Sequence, residues 1–102
     1  MKEVLFGKWI QNADQDYPGL WFDFKEDGSY KAGYEAMGIE SGGTWTAEGN
    51  TIDIDQTYHT FGFISKTIGI FEIEGDQLKL EMVTEDLPRP EAFGSPQIYT
   101  KA

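Results

Sequence analysis

Three short turns do most to limit the folds open to this chain. Glu26-Asp27-Gly28, Glu48-Gly49-Asn50 and Glu74-Gly75-Asp76 each separate two runs in which apolar and polar residues alternate. A parallel crossover needs about a dozen residues or more, so runs joined this tightly must lie antiparallel. Each turn carries a glycine free to take positive φ, which tight hairpins require. The alternation has a period of two. Leu20, Phe22 and Phe24 alternate with Trp21, Asp23 and Lys25, and Ile52 and Ile54 with Asp53 and Asp55. Phe71 and Ile73 alternate with Glu72 and Glu74, and Leu78, Leu80 and Met82 with Lys79 and Glu81. No stretch sustains the 3.6-residue apolar period of a helix.

The pattern predicts about eight strands, near 4–12, 19–25, 29–37, 41–47, 51–58, 65–74, 77–84 and 97–101. Strands that follow one another in sequence, with no sandwich crossover, suit an all-β, up-and-down antiparallel β-barrel, and closure removes exposed edges. The 102 residues make a single domain, 1–102. Asn12 to Gly19 reads as a mobile loop, His59 to Ile64 as an apolar connection, and Glu85 to Pro96 as a long loop before the last strand. Phe22, Phe24, Trp45, Ile52, Ile54, Phe71, Ile73, Leu78, Leu80 and Met82 are expected to point inward. The small residues between Ala32 and Gly43 would leave space, or let backbone approach closely, at one end.

Charge and composition remove several function classes. Eighteen Asp and Glu against eight Lys and Arg give a formal charge of −10. Such a surface repels phosphate backbones and anionic headgroups, so no nucleic-acid partner and no membrane partner are expected. No apolar run approaches the ~20 residues of a membrane helix. The chain has no cysteine, hence no thiolate chemistry. Six residues before Gly7-Lys8-Trp9 leave no room for a secretory signal, which predicts a cytoplasmic protein. An exported protein whose signal has been removed is the alternative.

Catalytic signals are weak. His59 is the sole histidine. Its spacing from Asp53 and Asp55 matches no zinc or iron pattern, and no triad or phosphate loop can be assembled. The expectation is a non-enzymatic protein with no metal and no cofactor. Asp53, Asp55, Glu72 and Glu74 should share the outer face of neighbouring strands, as a solvated surface or, less simply, a patch for a basic partner or a weak cation site.

Four motifs in order carry a family resemblance: Gly7-Lys8-Trp9, Phe24-Lys25-Glu26-Asp27-Gly28-Ser29-Tyr30, Gly43-Thr44-Trp45, and Gly69 to Leu80 followed by Arg89-Pro90-Glu91-Ala92-Phe93. Together they resemble small bacterial lipocalin-like domains of the calycin group. The resemblance implies a ligand-binding barrel in which Trp9 closes one end and a basic residue of the last strand, here Lys101, lies over its ring. A second, more local likeness is to staphostatins, small barrel-shaped inhibitors of cysteine proteases. It covers Phe93-Gly94-Ser95-Pro96, just before the last strand.

Two functions follow as expectations. The first is binding of a small apolar or amphipathic ligand at the open end, with Tyr30, Tyr34, Trp45, Tyr58 and Arg89 as candidate contacts. The second is a protein-interaction module that uses the 88–96 loop. Arg89, the sole arginine, lies between two prolines. It would either hold a carboxylate of the ligand or, the favoured reading, staple its loop to the acidic surface while Phe93 covers a barrel end.

Overall fold

The computed structural model describes residues 2–102. Eight strands run in order: β1 (Gly7–Gln11), β2 (Trp21–Phe24), β3 (Ser29–Tyr34), β4 (Ile39–Glu48), β5 (Thr51–His59), β6 (Ser65–Glu74), β7 (Gln77–Thr84) and β8 (Gln97–Lys101). Each pairs antiparallel with its neighbour, and β8 returns to pair with β1, giving a closed up-and-down barrel. Short 3-10 turns at Lys2–Leu5 and Glu35–Met37 replace the ends expected for the first and third strands. The causes are local. Gly7 takes φ +108°, which breaks the extended run after Phe6, and Gly38 takes φ +64°, which closes the turn after Met37.

All ten residues expected to face inward do so. Phe24, Trp45, Ile52, Ile54, Phe71, Leu78 and Leu80 are buried in one cluster, and Phe22, Ile73 and Met82 pack against it. Leu5, Trp9, Tyr30, Ala32 and Tyr99 complete that buried cluster. At the closed end Trp9 donates from Nε1 to the Leu5 carbonyl at 2.9 Å, and Lys101 Nζ lies 4.7 Å from the Trp9 ring centroid. The same ammonium donates to the Phe6 carbonyl, so the last strand is tied across the plug. On the outer wall the Trp21 ring occupies the space a Cβ on Gly33 would need, at 2.8 Å, and Lys8 Nζ stands 4.6 Å from that ring.

The acidic wall differs from the expected face of like charges. Asp55 pairs opposite Lys66 and Glu72 opposite Lys79, while Asp53 is taken by Arg89. Opposite charges directly across strands stabilise the sheet, whereas like charges would not. Among the described residues no cluster of acidic, histidine or cysteine side chains is arranged to hold a metal ion.

Two connections depart from expectation. The 12–20 segment is tethered: Tyr17 N–H donates to Gln11 Oε1, Ile98 N–H to Gln15 Oε1, and Thr100 Oγ1 to Asn12 Oδ1. The tethers come from the amide side chains of Gln11, Asn12 and Gln15, whereas the expectation of a mobile loop rested on Asp14, Asp16 and Pro18. The 85–96 segment lies along the barrel wall as a strap and covers no barrel end. Arg89 Nη1 donates to the carbonyls of Ile52 and Gly69, and Nη2 meets Asp53 at 2.7 Å. Further on, the N–H groups of Gly94 and Ser95 both donate to Glu81 Oε1, and Lys79 Nζ faces the Phe93 ring. Ile70, whose register points it away from the lumen, is buried between these two anchor points.

Candidate functional site

One irregularity of pairing creates the site. β4 and β5 are in register from Glu48↔Thr51 to Gly43↔Gln56, then resume at Gly42↔Tyr58, leaving Thr57 as an extra residue. Such a bulge reverses which side chains beyond it face inward. The backbones approach so closely here that a Cβ on Gly43 would lie 1.9 Å from the Asp55 carbonyl oxygen, so only glycine fits. Here the extra residue is on β5, so His59 turns into the lumen and Tyr58 turns out, while β4 keeps its alternation, with Ser41 inward and Gly42 outward.

At the end opposite Trp9 the lumen opens into a cavity of about 270 Å³. Its floor and walls are Leu20, Phe22, Ala32, Gly33 and Ile39, with Tyr17, Tyr34 and Met37 at the rim. Three polar groups break this apolar lining: Ser41, Gln56 and His59. Ligand sites of this kind run from roughly 300 Å³ upward, so the cavity suits a compact ligand. The small side chain of Ala32 leaves the space, as the sequence suggested for that segment, and Gly33 adds only backbone to the wall. Tyr17 and Tyr34 meet edge to face, ring centroids 6.1 Å apart, and close one side of the mouth.

A second cavity of about 200 Å³ lies deeper, lined by Tyr30, Ile54, Thr67, Leu80, Met82 and Gln97. Phe22 and Gln56 belong to the walls of both. The Phe22 ring is held in place by stacking on Phe24 at 5.5 Å and by an edge contact with Tyr99 at 5.8 Å. Burial pushes the Tyr99 hydroxyl up to about 12, and Tyr30 is also raised, by burial first and then by Asp55 and Tyr58. Both phenols therefore stay neutral inside the barrel. Tyr99 keeps partners there, accepting from Gln11 Nε2 and donating to Gln97 Oε1.

The five candidate contacts separate. Tyr34 lines the mouth cavity, and Tyr30 lines the deeper one. Trp45 is a core residue near the closed end, packed against Phe6 and Phe24, with Nε1 bonded to the Lys25 carbonyl. Tyr58 faces outward at 46% exposure because of the bulge. Arg89 is on the outer wall, spent on its strap. Met37, Ile39 and Ser41 line the mouth from the segment expected to border the open end, whereas Tyr17, Leu20, Gln56 and His59 were not anticipated there.

His59 is set by its own loop. Its Nδ1 accepts the Phe61 N–H at 3.0 Å, and its ring lies 5.7 Å from Phe61 and 5.2 Å from Phe63. Gln56 Nε2 donates to the Phe63 carbonyl, fixing the far side of that loop. Phe61, Phe63 and Ile64 are exposed beside the mouth, and so is Met37.

No protein-family model, no characterised protein and no solved structure matches this chain.

Proposed function

We propose that the protein is a non-enzymatic binding barrel of the lipocalin-like type, taking a small apolar or amphipathic molecule through its open end. The observation that carries this reading is the mouth cavity: about 270 Å³, mostly apolar walls, and a few convergent polar groups. An engineered apolar cavity of about 150 Å³ accepts benzene, so this volume suits one or two rings or a short alkyl chain. Trp9 plugs the other end of the barrel, which supports the mouth as the place where a guest reaches the lumen.

The test is an NMR titration with naphthalene, alongside native mass spectrometry of protein purified from its own host. Naphthalene is expected to shift the amides of Gly33, Tyr34, Ser41 and His59 and to leave those around Trp9 unmoved. Ala32→Leu, which fills the floor, is expected to lower the affinity by about tenfold or more. Unmoved mouth amides at saturating naphthalene, with no co-purified small molecule, would refute the reading.

A further inference from the structure

We propose that the mouth cavity selects an uncharged guest that carries a hydrogen-bond acceptor, such as a ketone or amide oxygen, and that His59 Nε2–H holds that acceptor. This rests on the ligand-binding reading of the same cavity and narrows it to a chemical class.

The inference starts from the protons. His59 Nδ1 accepts the Phe61 N–H, so the ring's own hydrogen must sit on Nε2. That nitrogen makes no hydrogen bond among the described residues, yet its ring stands in the cavity wall. The Phe61 and Phe63 rings flank it and hold its orientation. The donor is thus oriented by backbone and packing; it is open to solvent at the mouth, and an acceptor on a guest would take the place of water there.

The remaining groups agree. The hydroxyls of Ser41 and Tyr34 also line the wall and can donate. Gln56 has committed one amide N–H to the Phe63 carbonyl. The hydroxyls and the Gln56 amide can serve either way, so among the described residues His59 Nε2–H is the one polar side-chain group of this wall that can only donate, and it favours an acceptor on the guest. No Asp, Glu, Lys or Arg lines the cavity among the described residues. A carboxylate guest would enter an apolar site without a countercharge, from a surface carrying a formal −10. An ammonium guest would likewise lose its hydration without a carboxylate to meet it.

Three small probes of similar size separate the possibilities: ethylbenzene, acetophenone and benzoate. On the wild-type protein, ethylbenzene and acetophenone are both expected to shift the Tyr34 and Ser41 resonances. Only acetophenone should move the His59 Nε2 nitrogen and its proton. Benzoate should bind at least about tenfold more weakly than acetophenone. His59→Phe, which keeps a flat ring between Phe61 and Phe63, should weaken acetophenone about fivefold and leave ethylbenzene nearly unchanged. The inference is overturned if the His59 nitrogen responds alike to ethylbenzene and acetophenone, or if benzoate binds as well as the ketone; the apolar site itself would survive either result. If no probe perturbs the mouth, the binding reading falls and takes this inference with it. The wild-type nitrogen shifts decide the matter even where the variant fails to fold.

Discussion

Gly43 is the residue on which the mouth depends. Its hydrogen occupies a place where a methyl group would sit 1.9 Å from a backbone oxygen, so substitution must push two strands apart. Gly43→Ala is expected to destabilise the fold by about 3 kcal/mol or more, read as a fall in the urea midpoint. Any folded fraction should show a displaced His59 signal, since its inward orientation follows from the bulge, and a displaced Ser41 signal, since Ser41 pairs with His59 beside it. The same residue explains why Tyr58 and His59 were misplaced by sequence reading. Strict alternation from Ile52 puts Tyr58 inside and groups His59 with Asp53 and Asp55. One extra residue at Thr57 reverses both assignments. A bulge leaves no mark in the apolar–polar pattern. Here its trace is the paired Gly42-Gly43, which sequence reading took as a sign of open space or close backbone approach without placing an extra residue opposite.

Alternation and turns made the strands legible because both are local. Each hairpin glycine and each apolar side chain reports on its own neighbourhood, and the ten inward residues followed from that alone. The long 85–96 segment was not legible in this way, since its course depends on partners far away in sequence. Arg89 was expected to staple its loop, and it does, but two of its three bonds go to backbone carbonyls that no side-chain pattern could announce. Those carbonyl bonds should carry most of its contribution. Asp53 is half exposed, and an ion pair in such a setting gives only about 0–1 kcal/mol. Arg89→Ala is therefore expected to cost about 1–2 kcal/mol, and Asp53→Asn less than 1 kcal/mol by about half, in denaturant titrations. Limited proteolysis should cut within 85–96 sooner in Arg89→Ala than in the wild type. The strap also pins the 93–96 segment, with the Gly94 and Ser95 amides bonded to Glu81.

The molecule as a whole should weaken in alkali. Tyr99 and Tyr30 are buried and raised above the ordinary phenol value, so the folded state keeps protons that the unfolded chain gives up. Their contribution is complete below about pH 10 and is lost as pH rises towards about 12, on the order of 3 kcal/mol for Tyr99. Unfolding free energies measured across that window should fall more steeply for the wild type than for Tyr99→Phe, with tyrosinate absorbance appearing as structure is lost. The ring itself has a kinetic consequence. Seven of its eight strand pairings join sequence neighbours through connections within the meander, whereas the eighth brings Gln11 to Tyr99 across 88 residues. Closing so long a loop costs entropy that only the finished seam repays. The β1–β8 seam is then the last part of the barrel to form. Until it does, a nearly complete sheet presents two open edges, and refolding competes with association between chains.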